Sequence, residues 1–319
     1  MKKLVMILAV ALIAIGCNEE ESQISQNIEE NKEIVAKIRS CATDEILSQQ
    51  LIADPSYAQR LQDIEEHTVD FEKLQGKLVN GEIVIPVVVN VLYKTDAENI
   101  SDEQIQSQID VLNKDFNAEN EDFETVPEIF SGVKANIGIR FVLEAVNRKY
   151  VNKSTWGTAD AMKKTAGITP TSPTTMLNIW VCTIGKSVFG YAQLPGGKSA
   201  TDGVVIDSKY FGTLGTATYP FNLGRTTTHE VGHWMNLRHI WGDSECGTDY
   251  VSDTPSHNDA NRGLPSFPHY SECSGSPIEM TMNFMDYTDD RGLSMFTEGQ
   301  KNRMLSIFSA GGARSTFIQ

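Results

Sequence analysis

The strongest pattern in this chain is the stretch His229-Glu230-Val231-Gly232-His233-Trp234-Met235-Asn236-Leu237-Arg238-His239. Three of the chain's six histidines lie within it. Residues four apart share one face of a helix, so His229 and His233 can direct their imidazoles at one metal ion. A helix that ended soon after His233 would allow His239 to return as a third ligand. Glu230 would then face the coordination position that three protein ligands leave open.

A helix that carries histidines by chance is the alternative explanation, because a bare His-Glu-x-x-His match is often accidental. The third histidine at this spacing favours a metal site. Three imidazoles with one open position are typical of catalytic zinc. We therefore predict that His229, His233 and His239 bind zinc and that Glu230 is the general base of a hydrolytic reaction.

This histidine pattern resembles the metzincin signature, and His229 to Asp243 is similar to the pappalysin family, in particular its bacterial branch of ulilysin-like and mirolysin-like enzymes. Residues 283–287, Asn-Phe-Met-Asp-Tyr, resemble the Met-turn of that family. The resemblance covers most of residues 80–310 and, more weakly, residues 34–72. It implies a zinc metalloendopeptidase that hydrolyses proteins or peptides.

The resemblance also assigns roles to two residues of the Met-turn. Met285 would lie beneath the metal as an apolar floor, and simple core packing is the alternative. Tyr287 would stand beside the metal and stabilise the oxyanion, whereas the alternative is an ordinary surface tyrosine. At position 236 the chain has Asn where the general pattern has Gly; since Asn tolerates the left-handed conformation, we expect the helix-ending turn to survive.

The first residues predict a lipoprotein signal peptide over residues 1–17. Lys2 and Lys3 precede an apolar run at 4–15 that is too short to cross a bilayer. The run ends in Ala14-Ile15-Gly16-Cys17, which resembles a bacterial lipobox and implies a lipid on Cys17. An ordinary signal peptide with an incidental cysteine is the alternative. We expect an exported protein, lipid-anchored to the cell envelope or cell surface, or released outside the cell after processing.

Residues 18–78 form an acidic segment with apolar residues at helical spacing, which predicts a helical pro-segment unable to hold a core alone. Residues 79–319 form the predicted catalytic domain. The formal net charge of −15 argues against nucleic acid as a partner. We expect protein or peptide substrates, no membrane contact except through the lipid, and a monomer.

Strands alternating with helices predict an α/β fold for the catalytic domain. The predicted helices are an amphipathic one that opens at 101–103, the motif helix at 226–236 and a last one at 297–308. The resemblance adds a twisted mixed sheet, a backing helix, an active-site helix and an irregular C-terminal subdomain that ends in a helix. The predicted strands lie at 83–92, 139–143, 177–182, 190–194 and 203–207.

Four cysteines besides Cys17 allow at most two bridges, and the sequence alone does not give the pairing. Cys246 and Cys273 flank a loop-rich region, where a disulfide would contribute about 3–4 kcal/mol. Members of the family have a comparable bridge. Gly292 stands where the partner for a second family bridge would lie, so we do not expect one.

Cys41 lies in Arg39-Ser40-Cys41-Ala42-Thr43, within the region that resembles the family's pro-segment. A thiolate in the open position on zinc would silence the enzyme, so we predict a cysteine switch. A free thiol and a bridge to Cys182 are the alternatives. Cys182 itself lies in an apolar strand and is expected to be a buried, inert thiol.

Three further predictions concern the surroundings of the site. Asp290 matches the family position that selects a basic residue after the cut, although 289–291 could be a surface charge cluster. Residues 190–194 are the predicted sheet edge on which a substrate strand adds, with an ordinary edge as the alternative. One loop carries three oxygen-bearing side chains that suit structural calcium, namely those of Asp249, Asp253 and Thr254. A solvated acidic loop is the alternative.

Two rival functions share the zinc ligands. A surface lipoprotein could use zinc structurally for binding, but closed structural sites need no free carboxylate such as Glu230 at the metal. An exopeptidase would need a subsite for the free terminus, and no motif for one is visible. The sequence therefore favours an endopeptidase.

Overall fold

The computed structural model describes residues 39–73 and 83–318. Three predictions fall outside these ranges: the signal peptide 1–17 with the lipid on Cys17, and the boundaries of the pro-segment at 17/18 and 78/79. We refer to residues 39–73 as the N-terminal segment.

The helices are α1 (Thr43–Ala53), α2 (Ser56–Lys73), α3 (Asp102–Phe116), α4 (Arg225–Trp234) and α5 (Glu298–Ser306). The strands are β1 (Ile83–Tyr93), β2 (Ile139–Tyr150), β3 (Leu177–Cys182), β4 (Gly190–Ala192) and β5 (Val204–Asp207). Strand β2 extends well beyond the predicted 139–143. Its second half is rich in polar residues that remain partly exposed, so it lacks the apolar run by which a buried strand is recognised.

The five strands form one mixed sheet in the order β2-β1-β3-β5-β4. The first three pairings are parallel, and β4 joins β5 antiparallel. Strand β4 is therefore an edge, which confirms the edge position predicted for 190–194.

Alternate residues of the central strands enter two apolar clusters, as expected for side chains that point to opposite faces of a sheet. Ile179 and Val181 belong to the larger cluster, together with the apolar faces of α3 and α4. Trp180 and Cys182 belong to the smaller one, on the other side. Ile46 of the N-terminal segment is also part of the smaller cluster, so this segment shares a core with the sheet.

Helix α2 packs along α5 through polar contacts. Arg303 of α5 is buried and pairs with Glu65, while its Nε donates to the carbonyl of Asn236 at 2.7 Å. The Thr68 hydroxyl lies 2.9 Å from that of Ser306. These contacts fix the N-terminal segment to the C-terminal helix.

The chain between α4 and α5 consists mostly of turns and loops, in agreement with the predicted irregular C-terminal subdomain. The predicted disulfide joins Cys246 and Cys273 across this region. Among the described residues, no helix is both long enough and apolar enough to span a bilayer.

Candidate active site

Helix α4 ends soon after His233, as it must if His239 is to lie beside His229 and His233. Its last residue is Trp234, and Asn236 adopts the left-handed conformation with φ of 77°. The Leu237 N–H donates to the carbonyl of Gly232 at 3.0 Å, which closes the turn. Asn therefore serves at position 236 as the sequence predicted, and the chain turns back toward the helix to deliver His239.

The three imidazoles converge. Nε2 of His233 lies 3.1 Å from Nε2 of His229 and 3.1 Å from Nε2 of His239, and all three rings are buried. Each Nδ1 faces an acceptor outside the cluster: the carbonyls of Phe284 and Leu237 for His229 and His233, and a carboxylate for His239.

These partners place the imidazole protons on Nδ1, so that three Nε2 lone pairs point at one another. Lone pairs at this separation repel unless a cation lies between them. Burial lowers the pKa of His233 to about 3 and that of His229 well below its usual range, which keeps both rings neutral and able to bind a metal. The donor set therefore fits zinc.

Glu230 is buried beside this cluster, between α4 and the edge strand β4. A Cβ on Gly190 would lie 2.9 Å from its Cγ, so the glycine allows strand and carboxylate to approach this closely. Burial raises the pKa of Glu230 to about 7. Its Oε2 accepts hydrogen bonds from the Cys41 thiol and the Thr43 hydroxyl, both at 3.2 Å.

The Met-turn lies directly beneath the helix. A Cβ on Gly232 would stand 2.6 Å from Sδ of Met285, so the glycine of the motif permits Met285 to pack under the histidines. The Tyr287 ring lies 5.1 Å from that of His239, and its hydroxyl accepts a hydrogen bond from the Cys41 N–H at 3.1 Å. Both predicted residues are thus adjacent to the histidine cluster.

Asp290 is fully buried and pairs with Arg39 of the N-terminal segment. Its other oxygen accepts from the backbone N–H groups of Leu223, at 2.8 Å, and Arg225, at 3.4 Å, where α4 begins. The carboxylate is therefore an internal group that binds a basic side chain, not part of a surface charge cluster.

Known proteins similar to this chain are metalloproteases. A profile of the peptidase M43 family, described as pregnancy-associated plasma protein-A, matches residues 174–309. An extracellular metalloprotease of Colletotrichum graminicola is 31% identical over 296 residues, which cover 85% of this chain and 91% of the relative.

The chain belongs to the pappalysin family.

A second relative, an extracellular metalloprotease of Pyricularia oryzae, is 32% identical over 70% of this chain and 72% of its own length. Among solved structures, Tannerella forsythia mature mirolysin in complex with a cleaved peptide has 42% identity and a TM-score of 0.73, covering 75% of this chain and 96% of that one. A promirolysin mutant from the same organism has 39% identity and a TM-score of 0.80, covering 88% and 97%.

Membership in the pappalysin family makes this chain a zinc metalloendopeptidase with the metzincin α/β fold. The predicted family, fold and enzyme class are confirmed. The alternative hypothesis of a binding protein that uses zinc only structurally is not supported, because the relatives are metalloproteases.

The three residues predicted for calcium are engaged in hydrogen bonds. The carboxylate of Asp249 accepts from the Thr254 hydroxyl, and that of Asp253 accepts from Thr297 and Gly299 where α5 begins. Their calcium role stays a prediction. Cys182 and Cys41 are both free, so the alternative bridge between them is absent, and Cys182 is fully buried as expected.

Three residues near the pappalysin site were not singled out from the sequence. Thr43 and Asp44 approach Glu230 and His239 from the N-terminal segment, and no local pattern marks them. Asp243 contacts His239 from the loop after the motif. The sequence offered a way to find Asp243, because it is the last residue of the stretch from His229 that resembles the pappalysin family.

Proposed function

We propose that this chain is a latent zinc endopeptidase whose own N-terminal segment occupies the active site. One observation carries the proposal: a ligand atom of Cys41 and one from each of His229, His233 and His239 all lie within 4.8 Å of one another. Three imidazoles and one thiol form a complete tetrahedral set for zinc. The position that hydrolysis needs open would be held by sulfur.

Catalysis in the active form would use the three histidines and two further side chains. When bound, zinc supplies a Lewis acid that makes water nucleophilic near neutral pH and polarises the scissile carbonyl. Glu230 takes the proton of the attacking water and delivers it to the leaving amine. The hydroxyl of Tyr287 donates to the oxyanion.

The contacts of Cys41 account for latency because they engage all the groups needed for this chemistry. Its thiol faces Glu230, and its backbone N–H meets the hydroxyl of Tyr287. Burial raises the pKa of the free thiol to about 12, so a nearby cation is what would favour the thiolate. The switch therefore depends on zinc.

The N-terminal segment also covers the sheet edge. Ala42 donates to the carbonyl of Gly190 at 3.1 Å, and Phe189 donates to that of Ser40 at 2.9 Å, beside β4. We infer that an extended substrate uses the same backbone groups of β4 after the segment has left.

The contacts of Asp290 support a preference for Arg or Lys after the cut. In the latent form its carboxylate already holds a guanidinium, that of Arg39, inside the protein. A buried carboxylate is compatible with few partners other than a cation. A basic substrate side chain would replace Arg39 once the segment has left.

Export, lipid attachment at Cys17 and removal of residues 18–78 complete the proposal. The relatives named extracellular metalloprotease support export. The coverage of promirolysin, 88% of this chain against 75% for mature mirolysin, supports a pro-segment. Structural calcium at Asp249, Asp253 and Thr254 and a monomeric state are further parts of the proposal.

The mechanism is tested by digesting a peptide library with the protein lacking residues 1–17, with and without a chelator, beside Glu230→Ala. Cleavage should require the metal and Glu230, and cuts should precede Arg or Lys. Cleavage that ignores the chelator or persists in the variant would remove the mechanism.

The switch is tested by Cys41→Ala, with Cys182→Ala as the matched thiol control. Cys41→Ala should lose the N-terminal segment earlier and show activity sooner in a time course followed by gel and peptide hydrolysis. Cys182→Ala should keep the parent's latency. Equal latency in the parent and Cys41→Ala would discard the switch.

A further inference from the structure

The three imidazoles differ in the group that accepts a hydrogen bond from Nδ1. Nδ1 of His229 and Nδ1 of His233 meet backbone carbonyls, at 2.8 and 2.9 Å. Nδ1 of His239 meets side-chain carboxylates instead. A carboxylate partner makes an imidazole a more basic ligand than a neutral carbonyl does. The third ligand therefore depends on a side chain that can be changed by mutation.

Asp243 is attached to His239 through a short turn. Gly242, with φ of 66°, and Asp243, with φ of 58°, both adopt the left-handed conformation, and the Gly242 N–H donates to the carbonyl of His239 at 2.9 Å. A Cβ on Gly242 would lie 2.3 Å from the Thr248 nitrogen, so this turn requires glycine. The turn directs the Asp243 carboxylate back at Nδ1.

Trp241 restrains the same ring from its face. Its ring stacks on that of His239 with centroids 4.3 Å apart and planes 9° apart. Stacking fixes the plane of the imidazole but not which nitrogen carries the proton. The carboxylate supplies that second restraint.

Asp44 of the N-terminal segment approaches the same nitrogen, with Oδ2 3.0 Å from Nδ1 of His239. Nδ1 carries one proton, so only one of the two carboxylates can accept a strong hydrogen bond from it. Asp243 makes the closer contact, its side chain is 27% exposed against 39% for Asp44, and it remains when the segment leaves.

We propose that Asp243 is the positioning residue of the third zinc ligand. Its carboxylate accepts a hydrogen bond from Nδ1–H of His239, holds the tautomer and directs the Nε2 lone pair toward the metal position. The inference rests on the proposed zinc site. It adds a residue that acts through a ligand and touches neither metal nor substrate.

The test measures zinc affinity, not activity, by competition with a chromophoric chelator. The protein is the full chain carrying Glu230→Ala, which cannot cleave itself. Adding Asp243→Ala should weaken zinc binding about 10- to 100-fold. Asp243→Asn, which keeps a hydrogen-bond acceptor but no charge, should lie between Asp243→Ala and the parent.

Two carboxylate variants are the controls. Glu245→Gln removes an exposed charge from the same loop, and Asp44→Asn removes the competing carboxylate. Both should bind zinc within about twofold of the parent. The unfolding midpoint of the metal-free protein is measured in parallel, because a merely structural role would lower it, whereas positioning lowers only the rise that zinc produces.

The outcomes separate the inference from its premise. A parent that binds no zinc would overturn the proposed function itself. A zinc-binding parent with an unchanged Asp243→Ala, or an Asp44→Asn variant that loses as much affinity, would overturn only the assignment of Asp243. Should Asp243→Ala fail to fold, Asp243→Asn decides by the same criterion.

Discussion

The guanidinium of Arg39 meets the carboxylate of Asp290, 251 positions further along the chain, and both side chains are buried. Each is the charged partner that the other needs inside the protein. The pair joins the N-terminal segment to the start of the helix that carries His229 and His233. Four predictions follow from this pair and from the contacts around it.

Arg39→Ala should weaken latency. The variant leaves Asp290 buried without its cation, which costs about 3–5 kcal/mol in the latent form and nothing once the segment has left. We expect a lower thermal midpoint for the intact chain and faster activation. Differential scanning calorimetry and a gel time course measure both. Lys73→Ala, which removes a cation from the exposed end of α2, should behave as the parent.

Asp290→Asn should change specificity. Asn retains an acceptor for the backbone of Leu223 but cannot pair with a cation. The value of kcat/KM for peptides with Arg or Lys after the cut should fall about 10- to 100-fold, the loss of a charged hydrogen bond worth about 1.5–3 kcal/mol.

The same variant should leave peptides with an apolar residue at that position nearly unchanged. Asp289→Asn, which removes the neighbouring charge, is the matched control and should keep the basic preference. Equal losses on both peptide series would contradict a pocket role for Asp290.

Glu65→Ala should release the segment after it has been cut. The contacts of α2 lie before residues 74–82, so a cut there by an added protease leaves them in place. We expect the nicked parent to elute as one species and to stay latent. Loss of the Glu65 carboxylate removes the charged partner of Arg303. The dissociation constant of the nicked segment should therefore rise about 30-fold, which corresponds to about 2 kcal/mol of binding free energy.

Glu66→Ala is the matched control for this experiment. Its carboxylate faces solvent one position away and bonds only to Gln62 of the same helix. Size-exclusion chromatography and activity after nicking measure both variants. A nicked parent that separates at once would show that only the intact chain connection, and not these contacts, holds the segment.

Asp115→Asn should flatten the pH dependence of stability. Burial raises the pKa of Asp115 to about 7, whereas the unfolded carboxyl titrates near pH 4. Between about pH 4 and pH 7 the folded protein therefore binds one proton more, and stability falls as the pH rises through this window. The variant should lose the part of this slope that Asp115 contributes, on the order of 4 kcal/mol across the window.

Urea unfolding at several pH values tests this prediction. Asp110→Asn, on the exposed side of the same helix, should retain the slope of the parent. An equal slope in the parent and in Asp115→Asn would mean that Asp115 is ionised in the folded protein, paired with Arg225.

The convergence of the three histidines could be predicted because their geometry is local. His229 and His233 are one helical turn apart, and the left-handed Asn236 returns the chain to deliver His239. Strand β4 was visible as a short run bounded by Gly and Pro. The same reasoning located Cys246 and Cys273 at the two ends of the irregular loop.

Contacts between distant parts of the chain could not be predicted in the same way. Nothing near Arg39 indicates that Asp290 binds it, because no short-range pattern encodes a contact across the whole domain. Thr43 and Asp44 were missed for the same reason. The polar half of β2 was missed because its side chains lie at a partly exposed edge of the sheet.

Arg303 connects the N-terminal segment to the turn that follows α4. Its guanidinium bonds both the Glu65 carboxylate of α2 and the carbonyl of Asn236, the residue at the turn between His233 and His239. Departure of Glu65 would therefore leave the guanidinium with the carbonyl of Asn236, in the turn that sets the spacing of His233 and His239. Removal of the segment would then change the support of this turn at the same time as it withdraws Cys41 from the histidines.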